Sequence, residues 1–255
     1  MMINVFRGLV GLAVASVLVC SHTPAAFGQT TYSGDAYDVG AAIDVTAVVS
    51  VTATVNNVGP LPPTGGSSSS TLVNANLTGL LTTGIVTAST SGAGGIAQSV
   101  ATVDNLSILP LSTIALTASV VTANSEAISG SAFGSSTITG LVFAGNAITV
   151  TGAPNQIVFA TDILGQNIAE LIINQQIPVT IGTDNQITVN ALDLELLGGA
   201  GSIGSGDVII SSAESNLTPG VSGSGGAGTP EPSTFAYVVC LGVASTVVLR
   251  RRRRA

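Results

Sequence analysis

The chain has 255 residues, and six basic against thirteen acidic side chains give it a formal charge of −7. All six cations lie at the ends, Arg7 and Arg250 to Arg254, so residues 29–229 hold every acid but Glu231 and contain no Lys, Arg, His, Cys, Trp or Met. That inventory excludes nucleic-acid binding and adsorption to anionic lipid, which need Lys and Arg against phosphate, transition-metal sites, which need imidazole or thiolate, and disulfides within the domain.

Residues 1–28 read as a secretory signal. Arg7 supplies the positive start, residues 9–20 the apolar run, and Ala26-Phe27-Gly28 a small-residue cleavage site before Gln29. The run falls short of the roughly 20 residues a membrane span needs. Cys20 follows Val19 rather than a small residue, which argues against lipid attachment. The expected partner at this end is the Sec export machinery.

Residues 29–214 read as one all-β, β-sandwich-like extracellular domain. Their Thr, Ser, Val, Ile, Ala and Gly favour strands and tight turns. Residues 43–55 alternate: Ile43, Val45, Ala47, Val49, Val51, Ala53 and Val55 share one face, and the spacing predicts a single strand. A second alternating run sets Ile114, Leu116, Ala118 and Val120 on one face. Shorter strands are expected at 85–89, 100–103, 141–143, 148–150, 157–159, 168–173 and 208–213. In 187–196 the apolar positions pass from odd (Ile187, Val189, Ala191) to even (Leu192, Leu194, Leu196). Either a β-bulge near Ala191 or a strand that changes sheets would keep both halves on the core. Only 162–174 has helical spacing. Residues 60–70 (PLPPTGGSSSS) read as an internal loop, and 215–229 as a Gly/Ser linker.

Beyond the linker come Thr229-Pro230-Glu231-Pro232-Ser233-Thr234, an apolar stretch over 235–249 and five arginines. Taken alone, the pattern predicts a short transmembrane helix whose arginines stay in the cytoplasm. Pro230, Glu231 and Pro232, followed by the apolar stretch and the arginines, resemble the PEP-CTERM sorting signal of Gram-negative bacteria over residues 230–255. The resemblance implies transient inner-membrane anchoring, processing by an exosortase, delivery to the cell surface or extracellular matrix, and association with exopolysaccharide. The middle of the chain is similar to the choice-of-anchor P family through Leu77-Thr78-Gly79-Leu80-Leu81, Pro154-Asn155, Ile172-Ile173-Asn174-Gln175-Gln176, Val189-Asn190-Ala191-Leu192 and Gly206-Asp207-Val208-Ile209-Ile210. That family implies no established activity.

Three constellations bear on chemistry. Residues 199–204 (GAGSIG) satisfy G-x-G-x-x-G, but they run into another strand where a dinucleotide site needs a helix, so a hairpin loop is expected. Asp193 and Glu195 share one strand face at roughly 7 Å, a separation that glycoside hydrolysis could use. With five aromatics in the domain and no Trp, a solvated face opposite Leu192, Leu194 and Leu196 is the expectation. Asp35, Asp38 and Asp44, together with Asp184-Asn185, offer hard oxygen ligands of the kind Ca²⁺ takes, but without a calcium-loop motif ordinary turn acids are the expectation. The sequons at Asn76, Asn105 and Asn216 read as chance. No cofactor and no catalytic residue are assigned. The expected role is a structural or adhesive surface protein, with a weak carbohydrate- or calcium-binding module as the alternative.

Overall fold

The computed structural model describes residues 29–45, 49–77, 80–109, 113–162, 164–198 and 204–220. The signal segment, most of the linker and the tail with Pro230, Glu231 and Pro232 lie outside them. Residues 29–220 make one compact unit. Its regular structure is all β, in two sheets that face each other across the core.

The six-stranded sheet has the order β12-β13-β14-β15-β1-β2. These strands are Gln156–Thr161, Asn167–Ile181, Asp184–Leu197, Gly204–Thr218, Thr31–Val45 and Val49–Val58. Each pairs antiparallel with its neighbours. The first and last strands of the unit lie side by side, with Thr31 opposite Thr218.

The second sheet is built on β7 (Ile96–Ile108) and β8 (Leu116–Ile128). On one side β6 (Ile85–Ala93) pairs β7 and carries β3 (Gly66–Val73). Short β4 (Asn76–Leu77) and β5 (Leu81–Thr82) continue along β7. On the other side β9 (Ser131–Thr139) and the short β10 (Val142–Phe143) pair β8, and β11 (Asn146–Ala147) pairs β10.

The alternation over 43–55 is real, but it belongs to two strands. The chain doubles back, so Val45 pairs Val49 and Ile43 pairs Val51, and Ile43, Val51, Ala53 and Val55 share one face. Thr46-Ala47-Val48 carries no Gly, Asn or Pro to announce a turn. Ser67 to Ser70, expected in a loop, form β3 because Ser, Thr and Ala of β6 pair them residue by residue. The segment 162–174 is not helical. Asp162 Oδ1 accepts from the amides of Leu164 and Gln166, both at 2.8 Å, and β13 starts one residue later. Residues 148–150 form no strand, although Ile148 and Val150 pack against the core. β15 runs to Thr218, which moves the start of the linker past 215.

The change of face at Ala191 exists without a bulge and without a change of sheet. Ile173 pairs Leu192 and Gln175 pairs Asn190, so one register holds on both sides of Ala191. The neighbouring strands turn over in the same transverse row, which runs Asn155, Asn174, Ala191, Ser211, Asp38, Asn56. Four of these are left-handed: Asn155 (φ 57), Asn174 (φ 53), Ser211 (φ 53) and Asn56 (φ 53). One such residue reverses the pleat of its strand. Because β13, β14, β15, β1 and β2 change face in one row, the ladder keeps its register. A matching row crosses the other sheet through Asn74 (φ 59), Gly84, Asn105 (φ 49), Ser119 and Gly140 (φ 65). It explains why Val120, expected inside with Leu116 and Ala118, yields its place to buried Val121. Asn recurs in both rows because its short polar side chain tolerates this conformation better than most.

Candidate functional site

The two rows form a crease across the sandwich, and polar side chains collect along it. Asp38 is fully buried there, on the inner side. Its Oδ1 accepts from the amide of Thr102 in the opposite sheet at 3.1 Å, and its Oδ2 from Asn56 Nδ2. Burial raises its pKa to about 6 against these stabilising hydrogen bonds. Ser211 Oγ likewise donates to Val121 O across the sheets at 2.9 Å.

On the outer face of the six-stranded sheet a hydrogen-bonded chain follows the crease. Gln175 Nε2 donates to Asp193 Oδ2 at 2.9 Å, Asn190 Nδ2 to Gln175 Oε1, and Ser212 Oγ to Asn190 Oδ1 at 2.8 Å. The Tyr37 hydroxyl shares a hydrogen bond with Ser212. Its ring lies against Gly40, where a Cβ would come within 2.9 Å of Tyr37 Cε2. Burial raises the pKa of Asp193, with the charges of Asp207, Glu195 and Glu170 adding to it. Burial also raises Asp35 and Glu214, the latter helped by the charge of Asp35.

The sequence-derived candidates separate once placed. Asp193 and Glu195 share the outer face opposite buried Leu192, Leu194 and Leu196, as expected. The register sets Glu195 between Glu170 and Asp207, so these three and Asp193 gather four carboxylates on this part of the face. Asp35, Asp38 and Asp44 all lie on β1 but do not converge. Asp38 points to the core, while Asp44 is exposed and nine residues from Asp35, roughly 30 Å along a strand. Asp184 opens β14 after the two-residue turn Gly182-Thr183, and Asn185 Nδ2 caps Thr183 O at 3.1 Å. Among the described residues no three His, Cys, Asp or Glu side chains are placed to hold a metal ion. Of the sequons, Asn105 is a crease residue whose identity follows from its backbone. The glycine-rich segment joins β14 to β15 as a strand-to-strand connection, with Leu197 opposite Ser205. No protein-family model, curated protein or solved structure matches this chain.

A second feature went unread in the sequence. On the outer face of the other sheet, β7, β8 and β9 carry a groove of about 560 Å³ lined by Gln98, Val100, Asn124, Glu126, Phe133 and Ser135. The register aligns Gln98, Glu126 and Phe133 in one row, and Val100, Asn124 and Ser135 in the next. Gln98 Nε2 donates to Glu126 Oε2. The Phe133 ring is 55% exposed beside them. The signal in the sequence was a lone aromatic in the Ser/Thr-rich strand SAFGSSTIT, where the alternation puts it on the polar face.

Proposed function

We propose that this is an exported surface protein, a structural or adhesive component of the cell surface or biofilm matrix that works without catalysis. Support comes first from the order of the tail: Pro230-Glu231-Pro232, an apolar stretch and five arginines. That order makes exosortase the processing partner, after Sec-dependent export and a transient stay in the inner membrane. The fold suits a tethered role. β1 and β15 pair in the middle of one sheet, so the chain enters and leaves the sandwich at one end and can present the rest outward. The middle domain stands as a choice-of-anchor P-like module on the motifs quoted above. Intact-mass measurement on protein from the surface fraction of its native host tests the reading: the expected species lacks both residues 1–28 and the arginine tail. Surface protein that still carries Arg250 to Arg254 overturns it.

A second reading, a weak carbohydrate-binding module, is favoured by one observation, the exposed Phe133 beside an amide and a carboxylate. Calcium has less support, since the acids of β1 face different ways.

A further inference from the structure

We infer that the groove on β7, β8 and β9 is a binding site for a neutral glycan, stacked on Phe133 and hydrogen-bonded by Gln98, Glu126, Asn124 and Ser135. The inference deepens the carbohydrate reading above and rests on it. A pyranose offers an apolar C–H face and a rim of hydroxyls, so a protein site for it needs an exposed aromatic face beside planar amides and carboxylates. Phe133 supplies the face, at 55% exposure. In its own row, the hydrogen bond between Gln98 and Glu126 holds an amide and a carboxylate in fixed relation. Asn124 and Ser135, one row on, add groups that both donate and accept. The volume of about 560 Å³ falls in the range of small-ligand clefts, roughly 300–1,000 Å³.

The backbone beneath is held in place, as a preformed site requires. Gly134 follows Phe133 and faces the opposite sheet, where a Cβ would come within 2.3 Å of Val189 Cγ2. Gln176 Nε2 donates to Gly134 O at 2.9 Å. β9 is thereby pressed onto the six-stranded sheet, and Phe133 is directed outward from a packed strand rather than a loop. The charge chooses the ligand class. Residues 29–229 carry carboxylates and no cation, and Glu126 is in the groove itself, so polyuronates and sulfated glycans are repelled. A neutral sugar hydroxyl donating to Glu126 is accepted.

Affinity electrophoresis of the full chain in non-denaturing detergent gels tests this, with dextran, galactomannan, xylan, a β-1,3-glucan or alginate cast into the gel. Retardation by at least one neutral polymer and none by alginate is expected. Phe133→Ala should weaken that retardation about ten-fold, the scale for removing one stacking aromatic. Gln98→Ala should weaken it less. Phe159→Ala, an exposed aromatic on the other sheet, should leave it unchanged, and thermal melting checks that each variant is folded. Binding that survives Phe133→Ala overturns the site while leaving the carbohydrate reading standing. No retardation by any neutral polymer overturns both.

Discussion

The crease divides the sandwich into two halves with different interiors. On one side the core is aliphatic and bulky: Leu81, Leu106, Ile108, Ile114, Leu116, Phe143, Leu171, Ile173, Leu192, Leu194 and Ile210 are all buried. On the other side the buried side chains are mostly smaller: Ala36, Ala88 and Ala101 cluster with Val58, Ala97 and Ala127 with Leu217, and valines such as Val86, Val103 and Val189 fill much of the rest. Hydroxyls bridge the sheets there. Ser99 Oγ donates to Glu214 O at 2.6 Å and meets Thr90 Oγ1 at 2.9 Å, and Ser125 and Ser215 meet at 2.8 Å. The difference teaches how a chain this poor in large side chains closes a core along strands of up to 15 residues. Where side chains are large, burial of apolar area dominates. Where they are small, the sheets approach until backbone carbonyls accept hydroxyls from across the gap, which pairs Ser99, Ser125 and Ser215, while Ser136 Oγ on β9 is buried without a partner.

The sharpest way to separate the halves is to cut one large side chain. Leu194 is fully buried on β14. Leu194→Ala should destabilise the domain by about 3–5 kcal/mol, since the surrounding aliphatic core collapses only in part. Chemical denaturation measures it. A loss near 1 kcal/mol would mean that the aliphatic half does not dominate stability.

The second test sits on the boundary. Asp38 has a folded pKa of about 6 against 3.8 for the free group, so between those values the folded protein holds more protons than the unfolded one. Stability therefore falls as pH rises from about 4 to about 6, by at most about 3 kcal/mol for this group. Burial raises Asp35, Asp193 and Glu214 too, so they add to the same trend. The melting midpoint should be higher at pH 4.5 than at pH 7.5, and Asp38→Asn should flatten the difference. An equal slope in the variant would assign the effect to the outer-face acids.

How much of this was legible follows from what each half shows in sequence. Period-two patterning exposed the all-β class and both faces of β14, because a leucine on alternate positions is a strong signal. The change of face at Ala191 was legible too, but its mechanism was not, since a bulge is local to one strand and the crease is a property of several. Its trace was the recurrence of Asn at 56, 74, 105, 155 and 174, spread over distant segments that only the register brings into rows. The reversal between β1 and β2 was hidden because the alternation of apolar residues runs on from one strand to the next. β3 was hidden for the reverse reason, since a serine run looks like loop until a paired strand supplies its hydrogen bonds. The groove at Phe133 combines residues from three strands, which no single window of sequence displays.

A third test reverses the first, by adding volume where the sheets are close. Gly34 lies on β1 with room for nothing more: a Cβ there would be 2.3 Å from Thr90 Oγ1 and 2.8 Å from Ser99 Oγ. Gly34→Val should destabilise by about 1–3 kcal/mol through overpacking, although the substituted residue suits a strand better than glycine. A stabilised variant would show that the sheets can separate at this end without loss.

The smallest effect tests whether the hydroxyl bridges matter at all. Ser215 Oγ donates to Ser125 O at 3.1 Å and meets Ser125 Oγ at 2.8 Å, with both residues buried. Ser215→Ala removes one partner and leaves the Ser125 hydroxyl short of its mate. The expected loss is about 1 kcal/mol, the scale for a buried neutral hydrogen bond. Ser125→Ala should lose a similar amount. Removing both leaves two alanines facing each other in a half already lined with alanine, and a matched apolar pair incurs little penalty. The double variant should therefore be more stable than the sum of the single losses predicts, by about 0.5–1 kcal/mol. Additive losses would mean that each hydroxyl is held by its own neighbours and that the sheets are not joined through this pair. The close approach at Gly34 would then rest on small side chains alone.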